Sequence, residues 1–160
     1  MRSKIAFSRF ASILTAVLFV LLFVGCIASI HNKTSFVMIL SVYVVLIVCA
    51  LFYGTAYVEA TPDKIILGSL LRRKTILMRD VAGVELFQPT MGAIRIFASG
   101  GFMGYWGFFK EGDLGRYYAF YGKSSDCFLV RLKNGDKYVL GCTNPESMVD
   151  YIKSQISAEA

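Results

Sequence analysis

Two uncharged apolar runs, Ala11 to Ile30 and Phe36 to Val58, stand back to back near the start of the chain, with only His31-Asn32-Lys33-Thr34-Ser35 between them. A hydrocarbon layer about 30 Å thick is crossed by roughly 20 apolar residues of helix. Each run reaches that length without an Asp, Glu, Lys or Arg. The pattern predicts a membrane helical hairpin: a basic arm over residues 1–10, a first span over 11–30, an external loop over 31–35 and a second span over 36–58. Residues 59–157 then form one compact domain, a common size for a single hydrophobic core.

The net charge of +6 suggests a nucleic-acid binder only until it is divided along the chain. Four of the 17 basic residues, Arg2, Lys4, Arg9 and Lys33, precede Glu59, leaving 13 basic against 11 acidic residues in the soluble part. A domain so near neutrality has no footprint for a phosphate backbone, so no nucleic-acid partner is expected. The excess sets topology instead. Arg2, Lys4 and Arg9 precede the first run and Lys64, Arg72, Arg73, Lys74 and Arg79 follow the second, against Lys33 alone between them, so the positive-inside bias puts both termini in the cytoplasm.

Two other readings of the apolar segment are weaker. Phe23-Val24-Gly25-Cys26 resembles a lipoprotein cleavage box, but Phe23 stands where Leu or a similar aliphatic residue is usual, and the apolar run continues to Ile30. A transport path through the hairpin would use charged or carboxylate relays, whereas the only ionisable side chains in the runs are Cys26, Cys49, Tyr43, Tyr53 and Tyr57. An anchor is the better reading. Gly25 and Ser29, like Ala50 and Gly54, are small residues spaced by four that let helices approach closely, within one chain or between copies.

Beyond Val58 the pattern changes to short strands between turn residues: Tyr57 to Ala60, Lys64 to Leu70, Lys74 to Met78, Val81 to Phe87, Ile94 to Ala98, Arg116 to Tyr121, Cys127 to Leu132 and Lys137 to Cys142. Asn134-Gly135 tolerates the positive φ of a two-residue hairpin turn. That closure sets Lys133 opposite Asp136, Arg131 opposite Tyr138, Leu129 opposite Leu140 and Cys127 opposite Cys142. The last two thiols are then cross-strand neighbours, read as small buried side chains more readily than as a redox switch, because a cytoplasmic domain stays reduced. No Cys-x-x-Cys occurs, so zinc is not indicated. Thr143-Asn144-Pro145-Glu146 reads as a capping box with Pro in the first turn, opening a helix over about 144–157 whose apolar stripe is Met148, Val149, Ile152 and Ile156.

Short strands followed by one amphipathic helix is the order of a pleckstrin-homology (PH) fold. The sequence resembles bacterial PH-like domains that follow a transmembrane hairpin, over about Tyr57 to Ile156. The likeness is carried by Arg73-Lys74-Thr75-Ile76-Leu77-Met78-Arg79-Asp80-Val81, Gly101-Phe102-Met103-Gly104-Tyr105-Trp106-Gly107-Phe108-Phe109, Leu114-Gly115-Arg116-Tyr117-Tyr118-Ala119, and Tyr138-Val139-Leu140 with Asn144-Pro145-Glu146. The resemblance implies an all-β PH-like barrel of about seven strands capped by one C-terminal helix, beneath a bacterial inner membrane. It implies no activity, because this architecture hosts unrelated binding tasks.

No catalytic constellation stands out, and no cofactor motif. The only histidine, His31, lies in the external loop, far from the carboxylates of the soluble part, which excludes Ser-His-Asp and Cys-His schemes. Glu111 and Asp113 flank Gly112 and read as solvated loop residues. The glycines at 100, 101, 104, 107, 112 and 115 lack the Gly-Lys-Ser/Thr of a phosphate loop and suit bends in a small barrel. Phe102, Tyr105, Trp106, Phe108 and Phe109 exceed what one alternating strand buries on one face, so some are expected at the bilayer interface or against a partner protein.

Arg72-Arg73-Lys74 is the sharpest candidate site. If Tyr57 to Ala60 leads away from the bilayer, Lys64 to Leu70 returns toward it and brings the basic triplet to anionic phospholipid headgroups. The sequence therefore predicts a non-catalytic, membrane-anchored binding or scaffolding module. The rival is a structural homo-oligomer, or an accessory subunit of a membrane complex, with no lipid recognition.

Overall fold

The computed structural model describes every residue except Met91, Asp113 and Ala160. Strand β1 (Arg2–Lys4) precedes helices α1 (Arg9–Ala28) and α2 (Lys33–Tyr53). Nine strands follow: β2 (Tyr57–Ala60), β3 (Lys64–Gly68), β4 (Arg73–Leu77), β5 (Val81–Leu86), β6 (Ile94–Gly101), β7 (Gly104–Glu111), β8 (Gly115–Tyr121), β9 (Cys127–Leu132) and β10 (Lys137–Gly141). Helix α3 (Pro145–Glu159) ends the described chain. The strands form a four-stranded sheet in the order β1-β2-β3-β4 and a six-stranded sheet in the order β5-β9-β10-β8-β7-β6, and the sheets do not close on each other.

Both α1 and α2 are long and apolar enough to cross a membrane. Ser8 Oγ accepts from the Ala11 N–H at 3.1 Å and Asn32 Oδ1 from the Ser35 N–H at 3.3 Å, so each helix begins at a side-chain cap. Gly25 faces Ile39 across the pair, and Phe19 meets Tyr43 edge-on with ring centroids 5.8 Å apart. The second helix stops at Tyr53, five residues before the end of the apolar run, because Val58 belongs to β2 and is fully buried.

The N-terminal arm is a strand. Arg2, Ser3 and Lys4 pair antiparallel with Glu59, Val58 and Tyr57, and the Ile5 N–H donates to the Ala56 carbonyl at 3.0 Å. The two helices are therefore an insertion into the turn of a β1–β2 hairpin. Thr143 does not close a capping box: its hydroxyl and N–H both donate to the Lys4 carbonyl, at 2.9 and 3.0 Å, fastening β1 to the start of α3.

The main core lies between the sheets and α3. It contains Val58, Ile65, Leu67, Met78, Phe128, Val130, Leu140, Met148 and Ile152, each at most 2% exposed. A second cluster, with Phe109, Tyr117, Tyr121, Cys127, Leu129 and Val139, lies on the opposite face of the six-stranded sheet. That sheet is covered on both faces at its centre, which is why β9 reads Cys127-Phe128-Leu129-Val130 without alternation.

The β9–β10 hairpin is one residue out of the expected register. Val139 lies opposite Leu129, and Cys127 lies opposite Gly141. The Leu132 N–H donates to the Asp136 carbonyl and the Gly135 N–H to the Leu132 carbonyl, so the loop has three residues, with Gly135 at φ +90°. A slip of one residue reverses the faces. Cys127 belongs to the second cluster and Cys142 to the first, so the two thiols are not cross-strand neighbours.

Candidate functional site

The β3–β4 turn is held against the last turn of α2. Ser69 closes it by donating its N–H to the Arg72 carbonyl at 2.8 Å, and the Leu71 N–H donates to the Leu51 carbonyl at 3.0 Å. Leu70 and Leu71 are 67% and 62% exposed beside the helix end. From this turn the basic triplet divides by strand alternation. The Arg72 guanidinium lies 5.4 Å from the centre of the Tyr53 ring, and Lys74 Nζ lies 4.0 and 4.6 Å from the centres of Tyr118 and Tyr138. Arg72 and Lys74 share a notch of about 20 Å³ with Tyr53, Ser69 and Tyr118, while Arg73 begins β4 on the outer face, exposed.

Cations over tyrosine faces gain about 0.5–1 kcal/mol at exposed positions. Burial pushes the Tyr118 phenol up, against the opposing pull of the Arg72 charge. Among the described residues, no carboxylate is within ion-pair distance of Arg72, Arg73 or Lys74. The notch is thus a positive site with aromatic walls, Arg72 exposed and Lys74 half-buried, at the foot of an apolar helix.

The aromatic segment is mostly β7, a strand the sequence reading omitted because Gly104 and Gly107 interrupt it, both at positive φ. Its residues separate onto the two faces. Tyr105 stacks on Tyr121 with centroids 4.9 Å apart, and Phe109 on Tyr117 at 5.9 Å, both on the second-cluster face. On the other face, Trp106 stacks on Tyr53 at 4.9 Å and Phe108 meets Tyr118 edge-on at 5.3 Å. Phe102 sits in the β6–β7 turn, 5.8 Å from Phe19 of α1. These five aromatics therefore do not form one partner surface, since Phe109 is core and Trp106 bridges to α2.

The β6–β7 turn fits between the helices at their sheet-proximal ends. The Met103 N–H donates to Thr15 Oγ1 at 3.0 Å, and the Met103 carbonyl accepts the Thr55 N–H at 3.2 Å. The Phe102 carbonyl accepts from Trp106 Nε1 at 3.1 Å and Ser99 Oγ at 3.0 Å.

Two features escaped the sequence reading. Strand β6 is the unpaired edge of its sheet, with Ile94, Ile96 and Phe97 exposed at 66%, 51% and 80%. On the second-cluster face lies a groove of about 830 Å³, walled by Phe10, Tyr105, Phe109 and Tyr121 and edged by Arg95. Arg95 carries no local sequence signal, and the groove's lining comes from four separate stretches of chain, 8–10, 88–95, 100–109 and 121–124. Of the two candidate carboxylates, Glu111 accepts from the Thr90 N–H at 2.9 Å and from the Tyr117 hydroxyl at 3.2 Å, and Asp113 lies outside the described residues. Among the described residues no group of three or more His, Cys, Asp or Glu side chains is arranged to hold a metal.

No curated protein and no solved structure matches the chain. A family model does, over residues 57–156, more than half of the chain and from the first residue of β2 into the last turns of α3. With two open sheets and a C-terminal helix following two apolar helices, the chain belongs to the Bacterial PH domain family.

Proposed function

We propose that this protein is a non-catalytic binding module anchored in a bacterial inner membrane by α1 and α2, with both termini cytoplasmic and Arg72 and Lys74 facing anionic phospholipid headgroups. The observation that carries this reading is the 3.0 Å hydrogen bond from Leu71 to Leu51, which ties the basic turn to the end of an apolar helix. A helix that spans the bilayer holds that turn at headgroup level. Each basic residue near an anionic surface contributes about 1 kcal/mol, so Arg72 and Lys74 supply about 2 kcal/mol, reduced by salt. Two spans already secure residence at the membrane, so this energy orients the domain and selects its neighbouring lipids.

Trp106, the only tryptophan, reads this site directly, because it stacks on the Tyr53 ring beside Arg72. The full chain is reconstituted in mixed phosphatidylglycerol and phosphatidylcholine bilayers with bromine on one lipid at a time. Stronger quenching by the brominated anionic lipid, abolished in Arg72→Ala/Lys74→Ala, is the expected result. Equal quenching by both lipids in the wild-type chain sinks the headgroup assignment. Turnover in broad hydrolase or transferase screens would count against the non-catalytic assignment.

The exposed edge of β6 favours a second reading, a homo-oligomer or accessory subunit without lipid recognition, since a long apolar edge strand is a template for pairing. A monomer at all concentrations in detergent removes the homo-oligomer.

A further inference from the structure

The groove on the second-cluster face has the size and lining of a small-molecule site, which typically spans about 300–1,000 Å³ with apolar walls and few polar groups. Its long axis follows β6 and β7. Gly100 and Tyr105 stand at the end next to the start of α1, where Ser8 and Phe10 form the rim, and Ala93 and Phe109 stand at the far end. Phe10 is 60% exposed at the mouth although it opens an apolar helix.

Among the described lining residues only Arg95 carries a formal charge. The Arg95 guanidinium fills the space that a Cβ on Gly100 would take. This places the cation near the mouth, at the end of the groove beside Phe10. Among the described residues no carboxylate is within ion-pair distance of Arg95. The strand is bulged between Arg95 and Phe97, which re-aims the Arg95 side chain.

We infer that this groove holds one fatty-acid-type anion from the adjacent leaflet, its carboxylate on Arg95 and its acyl chain along Tyr105, Phe109 and Ala93. A guanidinium fork matches a carboxylate with two parallel hydrogen bonds, and the apolar channel behind it takes a chain. A neutral apolar ligand leaves the cation at the mouth unused, and a polyanion exceeds its single charge. The inference rests on the membrane reading for the source of the ligand but is independent of the Arg72 and Lys74 notch.

The test is native mass spectrometry of the full chain in non-ionic detergent with oleate, oleyl alcohol or oleoyl lysophosphatidylglycerol added separately. One oleate per chain is expected. Arg95→Gln should weaken oleate by about tenfold or more, the worth of one charge-assisted hydrogen bond, and leave oleyl alcohol unchanged. Ala93→Trp should block the channel to both, and an unchanged melting temperature shows that this variant folds. Arg72→Ala/Lys74→Ala should bind oleate as the wild type does, even if it loses lipid selectivity in bilayers. Absence of stoichiometric oleate, equal binding by Arg95→Gln, or a preference for the lysophospholipid overturns the assignment.

Discussion

Gly104→Ala tests the junction at which the β6–β7 turn meets the helices. Gly104 opens β7 at φ +94°, and a Cβ there would overlap the Thr55 hydroxyl, lie 3.0 Å from the Tyr121 carbonyl oxygen and 3.2 Å from Phe7 Cε1. Gly135 supplies the internal control, at φ +90° with nothing within 4 Å. Alanine in left-handed backbone costs about 1–2 kcal/mol at either position. At Gly104 the buried Thr55 hydroxyl must also move away from its 3.4 Å contact with the Met103 carbonyl, and a lost buried hydrogen bond costs about 1–3 kcal/mol. The excess of about 1–3 kcal/mol over Gly135→Ala corresponds to about 2–12 °C in a domain of this size. Trp106 fluorescence during heating of the full chain in detergent, at one scan rate, measures it. Thr55→Ala placed on Gly104→Ala should recover part of the loss, because it removes the overlapping oxygen. A Gly104→Ala melt at or above that of Gly135→Ala refutes the argument.

Thr15→Val removes the acceptor of the Met103 N–H and should destabilise the chain by about 1–3 kcal/mol, read in the same melt, with Thr15→Ser close to wild type. Cys127 and Cys142 lie in clusters on opposite faces of a sheet, so a thiol oxidant should form no Cys127–Cys142 disulfide, and peptide mapping after alkylation in denaturant should show both as free thiols. Burial raises the Tyr117 and Tyr121 phenols above 10.0 and the Cys127 thiol above 9.0. Each group holds its proton when folded and releases it at its ordinary pKa when unfolded, so stability should be intact below about pH 8.5 and fall as pH rises through 9 to 11. The tyrosinate absorbance near 295 nm that belongs to the buried phenols should then appear together with loss of Trp106 signal, and full tyrosine ionisation in a still-folded chain would contradict the burial.

Local signals carried the elements they could reach. The apolar helical hairpin, the β3–β4 turn and the C-terminal helix are legible because each is specified by contiguous residues, and Leu70-Leu71 before the basic triplet marks the turn that meets α2. The slipped β9–β10 register has a local cause that the Asn134-Gly135 pair alone does not reveal. Asn134 Oδ1 accepts the Asp136 N–H at 2.9 Å, which favours the three-residue loop over the two-residue turn that the same dipeptide also suits. Arg73 parts from Arg72 and Lys74 because pairing with Gly68 fixes the pleat of β4, a fact of register rather than composition. The groove escaped reading for the same reason: Phe10, Arg95 and Tyr121 meet only after the six-stranded sheet has formed.

Strand β1 is the clearest instance, since three polar residues gain their meaning from a partner more than fifty residues away, and it makes a strong prediction about what the folded unit is. A fragment starting at Tyr57 leaves β2 as a bare edge beside the core, removes Ile5, and strips Thr143 of its acceptor on Lys4. The last bond between the two chain segments runs from the Ile5 N–H to the Ala56 carbonyl, so continuing the ladder by one residue on each side would let a two-residue turn close the hairpin. Replacing residues 7–54 by Asn-Gly therefore restores the topology without the helices, using a turn whose twist matches the strands. Phe102 and Trp106 lose their contacts with Phe19 and Tyr53 in that chain, so Phe102→Ser and Trp106→Gln limit the apolar surface left exposed. The expected outcome is cooperative urea unfolding by circular dichroism for the closed chain, and none for residues 57–160 carrying the same two substitutions. Equal cooperativity of both would mean that the helices and β1 are dispensable attachments. A difference would mean that the helices are an insertion within the fold.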